Sequence, residues 1–241
     1  MNTESSGKKL KELLENGNCF KLVCGAGNGD VSEIERLTKL YYAAGCRFFD
    51  LSASENIVKA AKRAAPQGCF CVSVSAKGDP HCRTRDLEEI LPPLIDLGID
   101  CIELHASGTD EEEVMSKWLW LNKNFNGFLS VCAGRGRLSD VKLTERIKKM
   151  TALREPYTTI VQADGFPMSG GEDDYKTTLQ AVAAAQIIQN ANLPVYLMLS
   201  GGTNSKTAGL AKQCGINYHG IAMGSFARAH AEDAKGLVNS I

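Results

Sequence analysis

Four side chains able to do chemistry stand inside short apolar runs: Lys21 in FKLVCG, Asp50 in RFFDLS, Glu103 in CIELH and Gln162 in TIVQADG. Successive strand residues face opposite sides, so each run sorts into two sets. In CIELH, Ile102 and Leu104 form the apolar set, while Glu103 and His105 share the other. The same test pairs Asp50 with Ser52, Lys21 with Val23, Gln162 with Asp164, Ser73 with Ser75 and Ser130 with Cys132. If the apolar sets pack outward, a lysine and several carboxyls meet inside. A lysine flanked by carboxylates can move protons or stabilise developing charge, and it can form a Schiff base with a carbonyl, a lower-ranked route. The catalytic candidates are therefore Lys21, Asp50, Glu103 and Asp164, with His105 and Gln162 orienting a substrate. The competing reading is an ion-pair network that merely fills the interior, since buried charges must be paired wherever they occur.

A second group of residues suits an anion. LSGGTNS spans residues 199–205 and AMGSFAR spans residues 222–228. Gly201 and Gly202 let the backbone approach a ligand, Thr203 can cap a helix, and Gly224 and Ser225 open a short final helix. Arg135, in GRGR, can add charge. Together these predict a phosphate or other small-anion site, against the alternative of ordinary turn chemistry.

The elements that must position these residues alternate along the chain. Strand-like runs begin at Phe20, Arg47, Cys69, Cys101, Phe128, Thr159, Val195 and His219. Helical spacing follows each, over Val31–Ala44, Asn56–Ala64, Leu87–Leu97, Glu111–Leu121, Leu143–Leu153, Lys176–Asn190, Thr207–Cys214 and Phe226–Ala234. Eight βα units predict an α/β fold, a single (β/α)8 TIM barrel of ribulose-phosphate-binding type. An open doubly wound sheet is the rival, but it carries its glycine-rich turn after the first strand, and here the strongest turns follow the last two. Leu10, Leu13 and Leu14 before Gly17 predict a short helix closing the bottom of the barrel. The domain reading is an N-terminal helical extension over 1–18 and a barrel over 19–241.

Composition excludes several classes. The chain has 241 residues, 44% hydrophobic and 23% charged, with net charge −1, so a large core is expected and a general nucleic-acid binder is not. Nine cysteines are scattered with no CxxC pair, which predicts buried free thiols, a reducing cytoplasmic setting and no iron–sulfur cluster. No apolar run is long enough to span a membrane. No cofactor is expected, and no metal is assigned, because Asp50, Glu103 and His105 lack a specific metal spacing. A homodimer is left open. The loop 164–176, DGFPMSGGEDDYK, reads as a lid or a plain surface loop. His81 is a loop histidine of undecided role, His219 belongs at the bottom, and Trp118 and Trp120 read as packing.

The segments CFKLVCGAG, GDPHCR, IELHASG, QADGFPMSGG, LSGGTNSKT and GIAMGSFAR resemble the barrel portion of the LdpA family, the light-dependent period proteins of cyanobacteria. The resemblance runs from about Cys19 to Arg228. It is more distant to an uncharacterised plastid-encoded barrel family. LdpA proteins carry iron–sulfur cysteines in an insertion after the segment matching GDPHCR, and they serve redox sensing for the circadian clock. Here Arg83 leads directly toward a helix, so the resemblance implies the barrel but neither the cluster nor the clock role. Two functions are expected. One is a lyase or isomerase acting on a small phosphorylated or anionic metabolite. The other is a non-catalytic metabolite- or redox-sensing barrel that binds a partner protein.

Overall fold

The computed structural model describes residues 3–75, 86–106, 110–134, 138–165 and 172–241, with side chains from Gly7 onward. Eight parallel strands close a barrel in sequence order: β1 (Cys19–Val23), β2 (Phe48–Ser52), β3 (Cys69–Ser75), β4 (Cys101–His105), β5 (Phe128–Cys132), β6 (Thr159–Asp164), β7 (Tyr196–Ser200) and β8 (Gly220–Met223). Closure is direct, with Cys19 opposite Gly220 and Leu22 opposite Met223. The open-sheet alternative is thereby excluded.

The helices are α1 (Thr3–Glu15), α2 (Val31–Ala43), α3 (Glu55–Ala64), α4 (Leu87–Asp96), α5 (Glu111–Asn124), α6 (Asp140–Thr151), α7 (Tyr175–Asn190), α8 (Thr207–Gln213), α9 (Ser225–Ala229) and α10 (Ala234–Asn239). Several starts are fixed by a side chain that accepts from free first-turn N–H groups: Asp30 for α2, Asp86 for α4, Asp110 for α5, Ser139 for α6 and Asp174 for α7. The expected final helix is broken. Between α9 and α10, His230 leaves helical geometry (φ −118, ψ 40) and a 3-10 turn runs over Ala231–Asp233. The His230 ring stacks on Phe226 at 4.2 Å, which holds the chain in that bend.

Two cores follow from the strand alternation. The outer one lies between strands and helices and contains Phe20, Leu22, Phe49, Leu51, Ile102, Leu104, Val161 and Ala163, the residues expected outside. The inner one fills the lower lumen with Cys19, Phe48, Cys69, Cys71, Cys101, Phe128, Ile160, Tyr196 and Met198. Leu10 and Leu14 of α1 belong to this inner cluster, so α1 stoppers the bottom. His219 lies at this end: its Nδ1 accepts from the Leu197 N–H at 3.0 Å, and its ring meets Tyr196 edge-on. Trp118 is fully buried and donates from Nε1 to the Met150 carbonyl, a packing role. Among the described residues, all cysteines are free thiols, and only Cys214 is exposed. No described helix is long and apolar enough to cross a membrane.

Candidate functional site

Above the apolar floor the lumen becomes polar. Lys21, Asp50, Ser73, Glu103, His105, Ser130, Gln162 and Asp164 are all buried and all sit at inward strand positions. Lys21 Nζ lies 2.9 Å from Asp50 Oδ2 and pairs with Glu103 Oε2. Ser73 donates from Oγ to Asp50 Oδ1 at 2.9 Å and stands 3.3 Å from His105 Nε2. His105 Nε2 is 3.1 Å from Glu103 Oε1, and the Cys132 thiol donates to the same oxygen at 3.2 Å. Gln162 Nε2 donates to Ser130 Oγ at 3.1 Å. One continuous network thus joins strands β1 to β5, with Gln162 and Asp164 on β6 beside it.

Strand register sets these inward residues at different heights. Lys21 stands opposite Phe48 and Ala222, in the apolar layer, while Val23 stands opposite Asp50. Lys21 therefore roots one layer lower and reaches up to the carboxylates from beneath. Its side chain is 1% exposed and does not line the cavity above, so the charged cluster opens upward through Asp50 and Glu103 only.

The electrostatics follow from that burial. Desolvation opposes the Lys21 ammonium, but Asp50 and Glu103 outweigh it and hold Lys21 well above its ordinary value. Burial would raise Glu103, yet Lys21 and His105 reverse this and keep it well below the carboxylate range. Asp50 is pushed up to about 6 by burial, against the pull of Lys21. Asp164 is likewise pushed up to about 6, by burial and then by the Glu103 charge. Glu103 thus sits in a different protonation regime from Asp50 and Asp164 within one site.

A cavity of about 260 Å3 opens above this network at the C-terminal ends of the strands. Asp50, Glu103, His105, Gln162 and Asp164 form its floor, and Gly201, Gly202, Thr203, Gly224 and Ser225 form part of its rim. Ten residues singled out in the sequence therefore share one cavity. Gly201 and Gly202 have φ of 60° and 75°. A Cβ on Gly201 would come 2.8 Å from the Gly165 nitrogen, so the rim turn requires glycine there. The Thr203 hydroxyl donates to the Ala222 carbonyl at 2.6 Å and ties the β7 loop to β8. Its side chain thus fixes the rim. Arg135, His81 and the centre of the loop 164–176 lie outside the described residues.

Arg228 also lines the cavity, a role the sequence reading did not give it. Its Nη1 donates to the Val23 carbonyl at 2.7 Å, which draws the guanidinium back over the mouth between β8 and β1. The available signal was its place four residues after Gly224, one turn into α9, where the side chain returns toward the helix start. Ser200 and the β1 turn residues Gly25 and Gly27 were likewise missed. A second hollow of about 330 Å3 shares Ala26, Gly27 and Ser73 with this cavity and extends between the β1 and β2 ends toward Ile90. Among the described residues, its lining contains no ionisable side chain.

Solved structures with this architecture span several chemistries. Geranylgeranylglyceryl phosphate synthase from Thermoplasma acidophilum, in complex with sn-glycerol-1-phosphate, aligns over 97% of both chains with TM-score 0.61 and 12% identity. Dihydrodipicolinate synthase from Oceanobacillus iheyensis aligns over 95% of this chain and 75% of its own, with TM-score 0.59 and 12% identity. An aldolase, QR15, aligns over 91% and 95%, with TM-score 0.60 and 11% identity. At such identities the likeness establishes the TIM-barrel fold alone. Sequence relatives are more informative. Light dependent period A of Synechococcus elongatus is 32% identical over 155 residues, covering 59% of this chain and 42% of that protein, so the match spans less than half of the relative's length. Because residues 94–237, from the end of α4 to α10, match the model of the Light dependent period A C-terminal domain, the chain belongs to the LdpA family.

Proposed function

We propose that the upper cavity binds a small phosphorylated or otherwise anionic metabolite, and that the protein acts on it as a lyase or isomerase by acid–base chemistry. One observation carries this reading: a single cavity joins a glycine-rich rim bearing Arg228 to a floor of Asp50, Glu103, His105 and Asp164. The rim would hold the anion through the backbone of its glycine-rich turns and the Arg228 guanidinium. An anion held there hangs the rest of the molecule over the carboxyls. A floor carboxylate then takes a proton from a carbon next to a carbonyl, and a protonated neighbour returns one elsewhere on the substrate. Lys21 is a positioning residue in this scheme. It lies beneath the cavity with its ammonium given to two carboxylates, so it fixes their orientation and has no route to a substrate carbonyl. The Thermoplasma synthase, which shares the fold, was solved with a phosphorylated ligand, sn-glycerol-1-phosphate.

Ligand sensing without turnover is the second reading, favoured by the curated relative's name, which refers to a light-dependent period rather than to a reaction. One experiment separates the two. A thermal-shift screen against phosphorylated metabolites finds ligands by the mass-action rise in melting temperature. Carbonyl-containing hits are then incubated with the protein in D2O, and proton NMR follows loss of the C–H signal. A melting rise that Arg228→Leu abolishes, with deuterium incorporation, supports the enzyme. A rise without incorporation supports the sensor. No rise with any anion refutes the anion site.

A further inference from the structure

We propose that Glu103, His105 and Cys132, completed by Asp164, form a binding site for one divalent ion of the zinc class at the cavity floor. This goes beyond the metabolite reading and does not depend on it. One carboxylate oxygen of Glu103, one imidazole nitrogen of His105 and Cys132 Sγ all lie within 4.8 Å of one another. Glu103 Oε1 is the shared vertex, 3.1 Å from the imidazole nitrogen and 3.2 Å from the sulfur. A tetrahedral zinc with N and O ligands at about 2.0 Å and S at about 2.3 Å separates its donor atoms by roughly 3.3–3.5 Å. The two sides that meet at Glu103 Oε1 therefore need to open by only a few tenths of an ångström. One thiol, one imidazole and carboxylate oxygens suit zinc, cobalt or ferrous iron, and an all-oxygen site for magnesium or calcium would not include the sulfur.

Asp164 supplies an independent observation. Its side chain is buried at 2% exposure and lines the cavity, and its Oδ2 has no hydrogen-bond partner among the described residues. Its carboxyl also lies within hydrogen-bonding reach of the Cys132 thiol. An unpaired buried carboxylate oxygen is costly, and a cation held against Cys132 would satisfy it. Lys21 serves the same geometry from below. By pairing with Glu103 Oε2, it leaves Oε1 turned to the imidazole and the thiol. A second group of potential ligands, Asp50, Cys71 and Glu103, does not compete, because the Lys21 ammonium already sits between its two carboxylates. The 260 Å3 cavity above the donors leaves an open side on which a ligand oxygen could reach the ion.

The full-length chain, stripped with a chelator and titrated with cobalt(II) alone, tests this. The expected result is binding of one ion, with a near-ultraviolet band from thiolate-to-cobalt charge transfer and visible bands of tetrahedral cobalt. Zinc should bleach both. Cys132→Ser should abolish the charge-transfer band, whereas Cys214→Ser, at the exposed thiol far from the site, should keep it. His105→Gln and Asp164→Asn should each weaken cobalt binding at least about tenfold, and they serve if Cys132→Ser fails to fold. Saturation with cobalt without a charge-transfer band overturns the proposal. So does a band that survives Cys132→Ser, or an affinity unchanged in both His105→Gln and Asp164→Asn.

Discussion

Replacing Lys21 by methionine removes the cation that pairs with Asp50 and Glu103 and keeps nearly the same volume. The energetics can be worked from the contacts. At 2.9 Å, a unit charge pair in an effective dielectric of about 20 is worth about 6 kcal/mol, and Lys21 makes a second such contact with Glu103. Desolvating the ammonium and both carboxylates offsets much of this, so the net worth of the cluster against an apolar filling is small. Breaking it from one side is different. The carboxylates stay buried without the ammonium, and such losses run to about 3–5 kcal/mol. For a chain of this size that lowers the melting temperature by about 6–20 °C. Calorimetry and urea unfolding of the chelator-treated protein measure the loss. The double variant Lys21→Met, Glu103→Gln should lose less than the sum of the single changes, by about 0.5–3 kcal/mol, because it removes one stranded charge. A loss under about 1 kcal/mol in Lys21→Met, or strict additivity in the double variant, would refute the geometry argued here.

Three further outcomes follow from named contacts. Burial lowers the His219 pKa below the ordinary imidazole value of about 6.5. The fold thus favours the neutral ring, and its contribution is full above that pH and lost as pH falls through the folded value. Asp50 and Asp164 titrate in the opposite sense, so the comparison must be with His219→Asn: between pH 7.5 and 5.5 the wild type should lose more stability than the variant in calorimetric scans. Gly201→Ala, which places a Cβ at positive φ against the Gly165 nitrogen, should cost about 1–3 kcal/mol in urea unfolding. Tyr41→Phe removes a buried hydrogen bond from Tyr41 Oη to the Ala227 carbonyl, 2.7 Å long. It should cost about 0.5–1.5 kcal/mol in the same assay and weaken anion binding by loosening α9.

Much of this architecture was readable from alternation alone. Phe49 and Leu51 could only face helices, so Asp50 had to face inward, and the same logic placed Glu103, His105 and Asp164 correctly. Alternation fixes a face but not a height. Height comes from register between strands, and no single strand shows that Lys21 pairs with Phe48 while Asp50 pairs with Val23. That is why Lys21 was expected in the cavity and lies below it. Cys132 was placed inside but given no role, because its neighbours Glu103 and His105 come from β4, which is distant in the chain. Arg228 escaped notice for a related reason: its side chain reaches the mouth only once β8 lies beside β1.

The stopper at the bottom of the barrel has a consequence for how the chain matures. Leu10 and Leu14 precede every strand, yet their berth is lined by Cys69, Cys101, Phe128, Ile160 and Tyr196, which are made later. During synthesis, α1 leaves the ribosome ahead of all eight strands, and its berth is incomplete until strand β7 exists. Its leucines must wait exposed, or pair transiently with the wrong surface, while most of the chain is translated. The seal is then among the last native contacts to form, although its sequence appears before that of any strand. A barrel arranged this way gains a closed floor only on completion, so an unfinished chain presents both an unstopped lumen and a sticky amphipathic helix, the two features a folding chaperone would bind.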